Sequence, residues 1–134
     1  MRAEDADHVQ YRLSQAQESL GAGKLMLDHG HLSAAVSILY HGCFCAVWGL
    51  LLTEGKSSSK HSGMRSLFDQ LWVNTGRVPV ETGRFYRRLF QRRQRNDYGD
   101  LVTFENSEVE GLLAGAQEFV KIVSEKAREK LTDD

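Results

Sequence analysis

The chain has 134 residues, with 17 lysines and arginines against 18 acids and a formal net charge of −1. That length supports one domain with a real core, and the near-neutral balance excludes a chain-wide electrostatic footprint for nucleic acid, so an anion site must be a local patch. Cys43 and Cys45 lie two apart in an apolar run, point in different directions on a helix and read as small buried hydrophobes rather than as a disulfide or metal pair.

Met1 to Gln10 is charged and polar, unlike a secretory signal. The longest apolar region is interrupted by His41 and Gly42, which argues against a membrane span. The expectation is a cytoplasmic chain, a single domain over residues 1–134, with no membrane contact, no metal and no cofactor. No His/Cys cluster has zinc spacing, and no Gly-rich phosphate loop of the Walker or dinucleotide type is present.

A single proline, Pro79, and long apolar periodicity argue for helices. The first helix is expected from about Asp7 to Asp28, with Val9, Leu13, Ala16, Leu20 and Leu27 as its stripe and Gly30 at its C-terminal cap. The second spans about His31 to Thr53 and is apolar on most sides, the mark of a central helix. Gly42 and Gly49 within it each cost about 1 kcal/mol of helix propensity. That cost implies tight packing, with a dimer axis as one place for it.

Glu54 to Lys60 reads as a polar loop. A third helix starts near Ser62 and carries Met64, Leu67, Phe68 and Leu71, with Trp72 on the same face. Asn74 to Pro79 is the next loop, and Thr82 is placed to cap a fourth helix that runs to about Asn96. Ser107-Glu108-Val109-Glu110 has a capping-box pattern that opens a fifth helix, fraying after Glu125 to Lys130. Five helices with short connections make an all-α, up-and-down bundle.

The fourth helix holds the residues that folding explains least. Six arginines fall between Arg84 and Arg95, with no lysine and no acid among them. Arg84, Arg87, Arg88, Arg92 and Arg95 read as its wet face, either a solvated surface or a strip that contacts phosphates with strong salt dependence. Arg93 instead follows Leu89 and Phe85 along the apolar stripe, and Asp97 lies one turn further. A charge aimed at a core or an interface is costly unless paired. Arg93 and Asp97 are spaced to pair, either as a structural ion pair or as an anion site in which Asp97 orients Arg93 and Tyr98 supplies a hydroxyl or a stacking face. His61, in Lys60-His61-Ser62-Gly63, reads as a loop contact or a site residue, and His41 as a core group near Tyr40. Neither has an acidic orienter nearby in sequence.

The run from Ser33 to Phe44, the Lys60-to-Gly63 turn, the segment Arg93-Gln94-Arg95-Asn96-Asp97-Tyr98 and the late Ala116-Gln117-Glu118-Phe119-Val120 together resemble the HEPN family (higher eukaryotes and prokaryotes nucleotide-binding domain), in its small stand-alone prokaryotic form. The resemblance implies a helical bundle that dimerises around the arginine-bearing helices. It also implies a metal-independent endoribonuclease toxin paired with a small nucleotidyltransferase. The family site is an arginine, four to six residues, then a histidine. Here the arginine is Arg93, and Tyr98 stands where the histidine belongs. Tyrosine, with a pKa near 10, is a poor base at neutral pH, so only His61 or His41 from elsewhere in the fold restores one.

Three functions compete on this reading. The first is a nucleotide- or RNA-binding homodimer that docks a nucleotidyltransferase, with Arg92, Arg93, Arg95, Asn96, Asp97, Tyr98 and His61 as ligand-binding residues. The second is a ribonuclease using Arg93 with Tyr98 or His61. The third is a non-catalytic dimeric adaptor.

Overall fold

The computed structural model describes residues 1–98 and 103–133; of Asp97 and Tyr98 only the backbone is described. Among the described residues five α-helices follow in order: α1 Ala3–Asp28, α2 Leu32–Leu52, α3 His61–Phe68, α4 Val80–Tyr98 and α5 Asn106–Thr132. They form an up-and-down bundle, and no strand occurs among the described residues.

α1 and α2 form an antiparallel hairpin closed at Gly30, whose φ of 78° is the left-handed turn that ends α1. The pairing is close because of two glycines. A Cβ on Gly42 would lie 3.2 Å from the Ala16 carbonyl oxygen, and one on Gly49 would lie 3.0 Å from Leu13. Both glycines therefore serve the seam with α1, which corrects the reading of a dimer axis there. Gly42→Val should destabilise the fold by about 1–3 kcal/mol, because its branches meet backbone that cannot move aside. A urea midpoint equal to wild type would contradict this.

α2 is the spine. Ala35, Val36, Leu39, Cys43, Ala46, Val47, Leu50 and Leu51 are fully buried and touch a core shared with α1, α4 and α5. Leu32–Leu52 is in fact long and apolar enough to cross a membrane, contrary to the sequence reading, since His41 and Gly42 do not break the helix. Most of it is buried inside the bundle, which accounts for its apolarity. Both cysteines are buried and free, as expected.

Several boundaries differ from expectation. α1 begins at Ala3, where Glu4 and Asp5 suit the positive end of the helix dipole. α4 opens directly after Pro79, so Thr82 is a buried interior residue and not a cap; its amide donates to the Pro79 carbonyl at 3.0 Å. α5 opens at Asn106 without a side-chain cap, and Glu110 accepts from Asn106 Nδ2 at 2.7 Å instead of closing a box on Ser107. α5 carries the charged segment Glu125 to Lys130 as helix, with Ala127 buried and Leu131 packed on the core, and ends just beyond it at Thr132.

α3 continues into one π turn, Asp69–Val73, which apolar spacing did not reveal. It turns Trp72 into the core, where the Arg77 guanidinium lies 3.5 Å over the indole. Arg77 also forks onto Glu54 at 2.9 and 3.3 Å, and Lys130 reaches the same carboxylate at 3.4 Å. These cations hold the Glu54 carboxyl below its usual range. The three contacts tie the end of α2, the loop before α4 and the end of α5 together.

Candidate functional site

One edge of α2 carries the residues Ser37, Tyr40, His41, Phe44 and Trp48, which recur at helical spacing. α3 adds its first residue, His61, and α4 adds Arg93 and Asn96 near its C-terminal end. The three helices converge on Tyr40. Its ring is buried, and its hydroxyl lies 3.0 Å from His61 Nδ1. The Arg93 guanidinium lies 5.3 Å from the centre of the Tyr40 ring. Asn96 Nδ2 donates to the Ser33 carbonyl at 3.0 Å and to Ser37 Oγ at 3.1 Å, pinning this end of α4 to α2. Phe44 stacks on the His61 imidazole at 4.2 Å.

Arg93 is half-buried, as its place on the apolar stripe required. The anticipated pairing of Arg93 with Asp97, and the role given to Tyr98, fall on side chains outside the described residues. What the fold brings to Arg93 from a distance is His61 of α3, together with His41 of α2, one turn before Cys45.

The electrostatics follow from burial and from guanidinium groups. The His61 pKa is lowered by desolvation, then by the nearby Arg93 and His41. His41 is lowered by partial burial, then by Arg12 and Arg93. Tyr40 is raised, because burial outweighs the opposing pull of its Tyr86 neighbour and then of Arg93 and Arg65. At pH 7 the site therefore holds neutral imidazoles beside a neutral phenol and fixed positive charge. The His61 tautomer decides its chemistry. With Tyr40 donating to Nδ1, Nε2–H is a donor for an anionic oxygen. With Nδ1–H donating to Tyr40, Nε2 keeps its lone pair and can accept a proton.

Linkage gives a pH dependence. A histidine whose folded pKa is depressed leaves the folded state with fewer bound protons than the unfolded state at mildly acid pH. Stability is thus full above the unfolded value of about 6.5 and is lost as pH falls through the lower folded value. Urea unfolding at pH 7.5 and pH 5 should show the loss, and His61→Phe should reduce it. An equal slope in both proteins would assign it elsewhere.

The arginine strip is not uniform. Arg84, Arg87, Arg88 and Arg95 are exposed. Arg92, read as part of the wet face, is not: its side chain is 22% exposed, bonded to Glu108 at 2.9 Å and placed over Phe104 at 4.8 Å. Its geometry is that of a tie between α4 and α5, because Phe104 and Glu108 sit against that flank. Arg87 also has a partner, Asp69, at 3.4 Å. Sequence reasoning missed the part played by Tyr40 and Ser37. A phenol inside an apolar run looks like any core aromatic until its hydroxyl partner is known.

Beside His61 opens a cleft of about 630 Å³, walled by Phe44, Trp48 and Met64 and rimmed by Ser57, Ser58 and Ser59. Arg12 lies 3.4 Å over the Trp48 ring and donates to His8 Nε2 at 3.2 Å. Among the described residues no group of His, Cys, Asp and Glu is arranged to hold a metal ion.

An all-α bundle built around an apolar central helix defines the class, and the comparisons agree with that fold. The HEPN domain model matches residues 9–127, so the chain belongs to the HEPN domain family. It is 39% identical to a UPF0332 protein of Thermotoga maritima over 94% of this chain and 92% of that one. It is 29% identical to the protein named "Putative toxin MJ0605" of Methanocaldococcus jannaschii, over 93% and 92% of the two chains. The crystal structure of TT1696 from Thermus thermophilus superposes with a TM-score of 0.73 at 24% identity, covering 88% of this chain and 97% of that one, a likeness of fold.

Proposed function

We propose that this chain is a nucleotide- or RNA-binding HEPN module of the toxin–antitoxin kind, acting as a homodimer and as the partner of a minimal nucleotidyltransferase. The observation that carries the reading is the convergence of Arg93 and His61 on Tyr40, beside a cleft that His61 lines. A guanidinium held over Tyr40, one residue away from the cleft through His61, recognises phosphate through its planar fork. Asn96 fixes the helix that presents it. Arg84, Arg88 and Arg95 extend the positive surface and supply contacts that need no sequence. The protein names among its relatives support the toxin context.

Fluorescence anisotropy with labelled short RNA and with nucleotides, over a salt series, tests this. Binding at low salt that weakens steeply with added salt is expected. The double variant Arg84→Gln/Arg88→Gln should flatten that slope by up to about two phosphate contacts. No binding at low salt removes the proposal. Co-purification with the nucleotidyltransferase, and a dimer by light scattering, test the assembly.

One observation favours a second reading. His61 is held toward its neutral form within reach of Arg93's field. In a ribonuclease it would take the proton of an RNA 2′-hydroxyl as that oxygen bonds to phosphorus. Arg93 would stabilise the phosphorane, and the departing 5′-oxygen would leave with a proton from the site. Cleavage giving 2′,3′-cyclic phosphate ends, lost in His61→Ala, is the expected signature. RNA left intact by the purified protein after removal of any partner overturns it.

A further inference from the structure

We propose that the cleft walled by Phe44, Trp48 and Met64 is a nucleobase subsite, placed to take the base of the nucleotide whose phosphate lies at Arg93. This rests on the anion-site reading above and adds to it where the base goes. The cleft and the arginine cluster share one residue: His61 lines the cleft and also bonds to Tyr40, the phenol under Arg93. A ligand that spans the two must be apolar and planar at one end and anionic at the other, which is the outline of a nucleotide.

The lining fits that occupant. Its volume of about 630 Å³ is within the range of small-molecule sites. Trp48 is the half-exposed wall, an aromatic surface on which every base stacks whatever its identity, and the buried Phe44 and Met64 back it with apolar surface. The rim differs in chemistry from the wall: three consecutive serines, 57 to 59, place hydroxyls that both donate and accept, suited to the edge of a base. The rim is held in place at Ser58, whose Oγ accepts from the Lys60 amide at 3.2 Å. Gly63 lets α3 approach that serine, since a Cβ there would collide with the Ser58 hydroxyl. Arg12, stacked on Trp48, adds positive charge beside the wall.

An alternative occupant, a purely apolar ligand or peptide, fits less well. It would make no use of the serine hydroxyls at the rim or of the adjoining cations. The mixed lining selects for a ring with polar edges.

Trp48 provides the readout, because the chain has two tryptophans and the other, Trp72, is buried in the core. AMP and UMP should quench emission in the wild type but not in Trp48→Phe. Ribose 5-phosphate should compete with both nucleotides without quenching. Trp48→Ala should weaken AMP about five-fold or more, as loss of a base stack does, and leave ribose 5-phosphate affinity unchanged. Ser59→Phe, which fills the cleft from its exposed rim and leaves the core intact, should do the same. Nucleotides that bind calorimetrically with no quenching, and with equal affinity in Trp48→Ala and Ser59→Phe, overturn the base subsite while the anion site stands. If neither AMP nor ribose 5-phosphate binds, the anion site and the subsite fall together.

Discussion

Arg93→Ala is expected to weaken nucleotide and RNA binding about 10- to 100-fold, the equivalent of losing one charge-assisted hydrogen-bonded contact worth about 1.5–3 kcal/mol. Its fold should survive, because Arg93 is half-buried at the edge of the bundle and makes no part of the core. Arg93→Lys should recover only part of the affinity, since an ammonium keeps the charge and loses the planar fork. The same variants carry a ligand-free readout. Arg93 is one cause of the depressed His61 pKa, so removing its charge should move that titration upward toward the ordinary histidine value. Proton NMR of the imidazole resonances measures it. A variant with wild-type affinity and an unmoved His61 titration would take Arg93 out of the site.

Phe119→Ala should cost about 3–5 kcal/mol of stability and lower the melting temperature on the order of 10 °C. Phe119 is 2% exposed and stands where α3, α4 and α5 meet. It packs against Phe68 at 5.7 Å, Tyr86 at 5.1 Å and Phe85 at 6.1 Å. Tyr86 lies in turn parallel to Tyr40 at 5.9 Å. The aromatic file therefore runs from the centre of the bundle to the phenol that holds His61. Phe119→Leu keeps most of the volume and should cost much less. The test is urea unfolding followed by near-ultraviolet circular dichroism. A midpoint shift below about 1 kcal/mol in Phe119→Ala would mean that the neighbouring rings close over the gap.

The helices were readable because their apolar residues repeat at a helical period over long stretches, as Val9, Leu13, Ala16 and Leu20 do. Their ends were not. Ser107 and Glu110 have the letters of a capping box, yet Asn106 competes for Glu110 and wins. The π turn at Asp69–Val73 adds a residue without disturbing the sequence pattern around it. Gly42 and Gly49 signalled close approach correctly, but a sequence does not say which neighbour approaches, and the neighbour is α1. In the candidate site, Arg93 stood out because a charge on an apolar stripe calls for a reason. Its company did not stand out: the contact between Tyr40 and His61 joins two helices, and Arg92 looked like surface until Glu108 and Phe104 were seen against it.

The spine helix has consequences for how new specificities could arise. Most of its circumference is committed to neighbours; beyond its exposed first turn, solvent and the cleft are met chiefly by the edge from Ser37 through His41 to Trp48. Selection acting on ligand choice has a short alphabet to write with: a few letters on that edge and the serine rim facing it. A library confined to those positions would sample new ligands on an unaltered chassis, whereas substitutions scattered around the rest of the helix would mostly return proteins that no longer assemble.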